Sequence, residues 1–270
     1  YDRPILMKLE PNHGPPRGGY QVVVIGSNFG TVRSTWVQGT SIIKIDGHDC
    51  LATSWISDEK IRCTVPPGWS KKRFVDMEGV AEQKADSKPL FHYDRPTVTS
   101  VTPNTAPTEF NQGSITLMID GDNFGECGGE KDTKEEYCPK PKGFINGFEC
   151  LETIYVSHEQ IKCVLPQGVG TDLRVTVVLG NLDSIENKLF TYSKPTIEST
   201  EPKHGPAIGG TIVTVIGEHF GQYQKSGDCT SLAKNSCKTG KCCISSPLPL
   251  IKINDINCEQ TEWISNTELK

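Results

Sequence analysis

A cysteine frame that recurs three times constrains this chain more than any other feature. A cysteine is followed by four residues, an aromatic residue, an aliphatic residue and a serine, and another aliphatic residue stands two positions before a closing cysteine. The copies run from Cys50 to Cys63, from Cys150 to Cys163 and from Cys258 onward, and their aromatic residues are Trp55, Tyr155 and Trp263. Three copies in phase predict an array of one repeated module.

Other segments repeat with the same period. Tyr1-Asp2-Arg3-Pro4 returns at residues 93–96 and, more loosely, at 192–195, so the Tyr-to-Tyr periods are 92 and 99 residues. A period of this size suits a small independent sandwich domain rather than a solenoid turn. We expect residues 1–3 to end a preceding module and modules to span 4–94, 95–194 and 195–270. The third should be truncated, because Lys270 stands one residue before the expected closing cysteine, and both ends should be cuts through a longer protein.

The local patterns predict strands and no helices. Short segments rich in Val, Ile, Thr and aromatic residues alternate with Gly, Pro, Asn and Asp, and no helical period persists over twelve residues. The predicted strands are Gln21–Ile25, Ser41–Ile45, Arg62–Val65 and Leu90–Tyr93 in the first module, and Ile115–Ile119, Ile161–Leu165, Arg174–Leu179 and Leu189–Tyr192 in the second. The predicted fold class is all-β, with an antiparallel sandwich in each module.

Four motifs give the chain a specific resemblance. They are Pro-x-x-Gly-Pro-x-x-Gly-Gly from Pro11, Val-x-Val-x-Gly-x-Asn-Phe-Gly from Val22, the cysteine frame, and Phe-x-Tyr-x-x-Pro from Phe91. The chain resembles IPT/TIG domains, the immunoglobulin-like modules of plexins, the hepatocyte-growth-factor receptor family and fibrocystin-like proteins. The resemblance covers nearly the whole chain and implies tandem immunoglobulin-like sandwich modules. The second module departs from the pattern at Pro103–Pro107, which lacks the His-Gly of the first.

The eleven cysteines predict an oxidising compartment, and therefore an extracellular or cell-surface location. We expect the bonds Cys50–Cys63, Cys150–Cys163 and Cys127–Cys138, since both members of each frame pair lie at equivalent places. Cys258 should be unpaired because its partner lies outside the chain. Two further bonds should join four cysteines whose pairing stays open: Cys229, Cys237, Cys242 and Cys243. Zinc at the last three is the alternative, but structural zinc sites usually carry Cys-x2-Cys pairs.

No catalytic, metal or cofactor site is predicted, and we expect no enzyme activity. No Gly-x-Ser-x-Gly motif occurs. Asp120–Asn123 hints at calcium, but the closing glutamate of an EF-hand loop is missing. The net charge of −5 argues against a nucleic-acid partner. N-glycans are not expected because no Asn-x-Ser/Thr sequon occurs, and a membrane contact would need a segment outside this chain.

The linkers between modules are short. About three residues ending in a proline separate the last strand of one module from the first strand of the next, at Pro96 and Pro195. Proline fixes its own φ and restricts the preceding residue, so such a linker is not a flexible coil. We expect a semi-rigid rod.

The predicted function is a non-enzymatic extracellular array for adhesion, recognition or structure: a receptor ectodomain, an adhesion stalk or a filament subunit. The alternative is a set of accessory, carbohydrate-associated modules of a larger secreted enzyme. The partner should be a protein or a second copy of the chain.

Contacts with a partner are expected from segments that do not repeat, since the repeated residues maintain the fold. These segments are Thr31–Thr40 with Trp36, Glu126–Lys142 with Glu130, Asp132, Glu135 and Glu136, and Gln222–Pro249. The alternative is that these loops only buttress the junction between modules.

Two expectations concern the cores. Val22, Val24, Val213 and Val215 should occupy equivalent places that face the partner sheet. The frame aromatics should pack beside the frame disulfide while remaining partly exposed.

Overall fold

The computed structural model describes residues 2–30, 43–45, 47–69, 72–80, 83–86, 88–109, 114–125, 139–185, 187–221 and 250–270. Over these ranges the backbone forms strands and turns and contains no helix. None of the described segments is therefore a helix with the length and apolarity to cross a membrane.

The strands fall into three groups that follow the sequence repeat. The first module contains β1 Ile5–Glu10, β2 His13–Gly14, β3 Gln21–Ser27, β4 Ile43–Ile45, β5 His48–Asp49, β6 Ala52–Ser57, β7 Lys60–Thr64, β8 Arg73–Val80, β9 Gln83–Lys84 and β10 Leu90–Tyr93. The second contains β11 Thr97–Thr102, β12 Thr105–Ala106, β13 Thr116–Asp122, β14 Lys142–Ile145, β15 Phe148–Glu149, β16 Glu152–Ser157, β17 Gln160–Val164, β18 Val175–Leu179, β19 Leu182–Asp183 and β20 Thr191–Tyr192. The third contains β21 Thr196–Glu201, β22 Thr214–Glu218, β23 Lys252–Ile253, β24 Ile256–Asn257, β25 Trp263–Ser265 and β26 Glu268–Leu269.

The first module is a sandwich of two sheets. One sheet has the order β1-β3-β7-β6 and is antiparallel; the other has the order β2-β10-β8-β4-β5, with β9 beside β8 and β2 parallel to β10. Side chains alternate across each strand, so Val22 and Val24 of β3 are fully buried while Val23 is only half-buried. Val75 and Met77 of β8 are buried in the same core cluster. Burying one such side chain is worth about 1.5–3 kcal/mol.

The second module repeats this arrangement. Its sheets have the orders β11-β13-β17-β16 and β15-β14-β18-β19, and β12 pairs with β20 in parallel. Leu117 and Ile119 of β13 occupy the places of Val22 and Val24 and are fully buried. The sequence repeat therefore corresponds to a repeat of core positions, and the fold is all-β.

The described part of the third module forms only one of the two large sheets. This sheet has the order β21-β22-β26-β25, and the remaining pair is β23-β24. Val215 is buried, and Val213 is half-buried against the small core cluster. Val213 and Val215 therefore stand at the repeat places of Val22 and Val24, but Val213 is only half-buried and directly precedes β22.

The predicted strands match the observed ones to within a few residues, and Leu90–Tyr93 coincides with β10. Residues 41 and 42 of the predicted Ser41–Ile45 lie outside the described residues. The prediction of Leu189–Tyr192 was too long: the amides of Leu189 and Phe190 both donate to the carbonyl of Leu173, which interrupts the ladder, and only Thr191–Tyr192 is a regular strand.

Candidate interaction sites at the module ends

Each module has a tight turn directly after its central strand. The turns are Asn28-Phe29-Gly30, Asn123-Phe124-Gly125 and His219-Phe220-Gly221. In all three the first residue has a φ of 62–65° and the glycine a φ of 77–87°. Glycine adopts this left-handed region without strain and asparagine tolerates it better than most residues. The phenylalanine between them is buried in every module and fixes the turn to the core.

The frame aromatics hold these turns from the side. Trp55 Nε1 donates a hydrogen bond to the carbonyl of Gly30 at 3.1 Å, and Trp263 Nε1 donates to Gly221 at 3.1 Å. Tyr155 uses its hydroxyl in the same way and donates to Gly125 at 2.9 Å. Each aromatic is half-buried. The position therefore requires a polar donor on a ring, which explains why Trp and Tyr occupy it.

A second side chain at an equivalent place also binds the glycine. Asp58 accepts a hydrogen bond from the Gly30 amide at 2.8 Å, and the side-chain oxygen of Asn266 accepts one from the Gly221 amide at 2.8 Å. In the second module His158 takes this place, and its Nδ1 lies 3.1 Å from the Gly125 carbonyl. Sequence reasoning missed this role because three different residue types fill it. Their shared position one residue after the frame serine was the available signal.

The same turn also binds the linker that enters the module. Asn28 Nδ2 donates to the carbonyl of Arg3 at 3.1 Å, and Asn123 Nδ2 donates to that of Arg95 at 3.1 Å. Both carbonyls stand just before the linker proline. The turn therefore lies at the entry end of its module, beside the preceding module.

The non-repeating segments begin at these turns. Residues 31–42, 126–138 and 222–249 follow the three glycines and lie outside the described residues. The predicted contact residues Trp36, Glu130, Asp132, Glu135 and Glu136 fall within them. The structure thus fixes the points from which these loops leave the described part of each module.

Four of the five described cysteines form the two frame disulfides. Cys50 is bonded to Cys63 and Cys150 to Cys163, with Cα–Cα distances of 5.7 and 5.5 Å. Cys258 is free and half-buried. Its amide donates to Ile251, as the Cys50 amide donates to Ile43, so it occupies the same place in the frame. The predicted bonds of the other cysteines lie outside the described residues: Cys127, Cys138, Cys229, Cys237, Cys242 and Cys243.

The carboxylate considered for calcium is occupied by protein donors. Asp120 accepts a hydrogen bond from Gln160 at 2.7 Å on one oxygen and from Ser100 at 2.9 Å on the other. Among the described residues, no cluster of three or more His, Cys, Asp or Glu side chains could hold a metal ion.

The exit end of each closed module is fixed by a buried tyrosine. Tyr93 donates its hydroxyl proton to the carbonyl of Pro66 at 2.8 Å, and Tyr192 donates to Pro166 at 2.5 Å. Burial raises the pKa of the Tyr192 phenol above its ordinary value of 10.0, because the charged form would lose its hydration. This bond ties the last strand to the loop that follows the closing cysteine.

The second and third modules meet at an apolar cavity of about 330 Å³. Val169 and Tyr192 line it from the second module, and Phe220 and Leu250 from the third. Beside it Thr108, which is buried, donates its hydroxyl proton to Asn266 at 2.9 Å. Phe220 and Leu250 bracket residues 222–249 closely, so this segment leaves and rejoins the described chain at the junction.

Comparisons with known proteins agree with the repeat. The chain is 25% identical to plexin-A3 of Rattus norvegicus over 233 residues, which are 80% of this chain and 11% of that protein. Among solved structures it is similar to the plexin A4 extracellular region (24% identity, TM-score 0.32, 80% of this chain and 18% of the other). It is also similar to the surface glycan-binding protein PbSGBP-B from Prevotella bryantii (13% identity, TM-score 0.38, 69% and 42%). The IPT/TIG domain model matches residues 4–93, 96–193 and 195–270, and the chain belongs to the IPT/TIG domain family.

Proposed function

We propose that this chain is a non-enzymatic recognition and adhesion array of a longer cell-surface or secreted protein. Its modules, taken as 4–94, 95–194 and 195–270, act as spacers that hold variable loops at set positions. The likeness to plexin-A3, a protein of which the chain spans 11%, supports a place in a receptor-type extracellular region. The two disulfides support an oxidising compartment.

One observation carries this proposal. In all three modules the non-repeating segment starts at a glycine whose carbonyl is bound by a frame aromatic. The three modules thus share the same contacts up to this glycine, and their sequences differ in the segment that follows it. Binding residues are typically placed on loops that a rigid scaffold positions.

The partner proposed for the second loop is a basic protein surface. Residues 126–138 carry five acidic side chains against two lysines, and this segment has no counterpart of the same sequence in the other modules. The acidic residues are Glu126, Glu130, Asp132, Glu135 and Glu136. Charged groups of one sign attract a partner of the other sign and raise the rate of association. Trp36 in the first loop is of a residue type enriched at binding hot spots.

The test compares adhesion of beads coated with the full chain and with loop variants. One variant replaces residues 222–249 by a short Gly-Ser linker, and a second changes Glu130, Asp132, Glu135 and Glu136 to Lys. Bead–bead clustering reports self-association and bead–cell attachment reports a partner on another cell. We expect the variants to lose attachment while the melting of the first module is unchanged.

A matched control changes Glu152, an exposed acidic residue at the start of the edge strand β16, to Lys. This control should attach like the parent chain. Attachment that survives both loop variants would show that the loops only buttress the junctions and would overturn the proposal.

A further inference from the structure

The junction between the first and second modules contains a tryptophan from a tight turn. Trp69 follows Pro66-Pro67-Gly68, directly after the buried Val65. The Gly68 amide donates to the carbonyl of Pro16 at 2.9 Å, and a Cβ on Gly68 would lie 2.3 Å from Cζ of Tyr93. The turn is therefore fixed by the core of the first module, and Trp69 leaves it in a set direction.

The Trp69 ring rests on a hairpin of the second module. Strands β18 and β19 are joined at Gly180 and Asn181, and Leu179 pairs with Leu182. A Cβ added to Gly180 would lie 2.0 Å from Cδ1 of Trp69, so the ring occupies the space that any other residue would fill with its side chain. Gly180 has a φ of +59°, which also favours glycine.

The contact continues into the core of the first module. Leu182 belongs to the second module by its strand, yet it is fully buried in the same apolar cluster as the core residues of the first, and Trp69 packs against that cluster. Apolar burial across the boundary favours the docked arrangement over a separated one.

An arginine holds the tryptophan on its own module. The Arg73 guanidinium carbon lies 5.8 Å from the centre of the Trp69 ring, and Arg73 Nη2 donates to the Trp69 carbonyl at 3.4 Å. A guanidinium within about 6 Å of an indole ring is attracted by its π-electrons. The ring is thus positioned before it meets the hairpin.

The second module has a residue at the same place that makes the corresponding contact. Val169 follows Pro166-Gln167-Gly168, and it lies against the third module: a Cβ on Gly221 would be 2.5 Å from Cγ1 of Val169. The side chain after the Pro-x-Gly turn therefore meets a glycine of the following module at both junctions. The contacted glycine differs, since Gly180 lies in a hairpin and Gly221 in the turn after β22.

We propose that the residue after the Pro-x-Gly turn is the anchor between successive modules, and that Trp69, seated on Gly180 and Leu182, locks the first two modules in one relative orientation. The size of the anchor and the place of its glycine set the angle at each junction. This lock acts within the chain and needs no external partner.

The test uses the full chain and two glycines of the second module. Gly180→Ala places a methyl group in the space of the Trp69 ring. Gly147→Ala is the matched control, because Gly147 also has a positive φ, +85°, but a Cβ there would meet nothing within 4 Å. Hydrogen exchange of the 179–184 hairpin reports the contact, and small-angle X-ray scattering reports the spread of module orientations.

Gly180→Ala and Trp69→Ala should each speed amide exchange in the hairpin about tenfold and broaden the scattering profile, whereas Gly147→Ala should change neither. Adding Gly180→Ala to Trp69→Ala should change exchange and scattering little further, because the indole ring with which the new methyl group would collide is absent. Trp69→Ala alters a half-buried side chain and keeps the test valid if Gly180→Ala does not fold.

Two results would overturn the proposal. The first is unchanged exchange and scattering in Trp69→Ala. The second is a large further rise in exchange when Gly180→Ala is added to Trp69→Ala, which would mean that backbone strain at residue 180 alone loosens the hairpin.

Discussion

The first and third modules share one residue pattern but bury it differently. Ile45 and Ile253 occupy the same place in the repeat, yet Ile45 is 1% exposed and Ile253 is 59% exposed. In contrast, Val24 and its counterpart Val215 are both buried. In the first module β4 pairs with β8 of the same sheet, where Val75 lies opposite Ile45. The described part of the third module contains no counterpart of β8. The sheet that contains the cysteine frame is therefore present in both modules. Burial of residues such as Ile45 depends on the second sheet, which in the first module has the order β2-β10-β8-β4-β5.

The largest difference in stability loss between the first and third modules is expected when the phenylalanine of the turn is replaced. Phe29 is fully buried in a large core, so Phe29→Ala should reduce the free energy of unfolding of the first module by about 3–5 kcal/mol. Phe220→Ala should reduce that of the third by less than half as much, because among the described residues its buried neighbours are Val215 and Leu269, with half-buried residues around them. Native-state hydrogen exchange reads the modules separately. Equal losses would contradict the difference in burial around the two phenylalanines.

The cysteines of the frame provide the second comparison. Replacing both Cys50 and Cys63 by Ala should destabilise the first module by about 3 kcal/mol, since the bond closes a loop with a sequence separation of 13. Cys258→Ala should have an effect close to zero in the third, because that thiol is free. Urea unfolding followed by hydrogen exchange measures both values. A large loss in Cys258→Ala would show that the thiol has a packing role.

The frame aromatics should behave alike in both modules. Trp55→Phe and Trp263→Phe each remove one hydrogen bond to a glycine carbonyl and should cost about 1 kcal/mol. Equal losses are expected because this hydrogen bond joins the frame aromatic to the turn of the same sheet, and both modules contain that sheet. A loss confined to Trp55→Phe would mean that the turn is held by the opposite sheet instead.

The smallest effect at neutral pH concerns the tyrosine that closes the second module. Burial raises the pKa of Tyr192 in the folded chain above the 10.0 of the exposed phenol. The neutral phenol is thus favoured by folding, and its contribution to stability is full below about pH 10 and is lost as the pH rises further.

The unfolding midpoints of the second module at about pH 8 and about pH 11 should therefore converge in Tyr192→Phe, which also lacks the bond to Pro166. The third module is the internal reference, since its described residues include no buried tyrosine. An alkaline loss of the same size in the Tyr192→Phe chain would assign the effect to other groups.

Much of the fold follows from the sequence, and the reasons are local. The apolar, β-branched run Val22–Ile25 predicts a strand, and the cysteine frame predicts the two observed disulfides. The edge strands β6 and β16 were not predicted. An edge strand buries only one face in part, as the half-buried Thr53 and Trp55 show, so its apolar pattern is weak.

The junction contacts could not be predicted from sequence. Trp69 and Gly180 are far apart in the chain, and although Trp69 follows the repeated Pro-x-Gly turn, its counterpart Val169 is a different residue type. Their contact depends on the relative orientation of two folded modules, and no local sequence pattern predicts that orientation. The frame aromatics were expected to pack beside the disulfide. Their hydrogen bonds to the glycine carbonyl of the turn were not predicted.

The glycine that ends each turn also determines where a module can accept inserted residues. The connection from that glycine to the next strand spans residues 31–42 in the first module and 222–251 in the third. Both ends of the connection are pinned by the scaffold, so its length enters the stability of the module through the entropy of loop closure. That term rises with the logarithm of length, and extending the connection from the first size to the second costs about 0.8 kcal/mol. A module built this way tolerates insertions at one point, so new sequence can be tried there with little loss of stability.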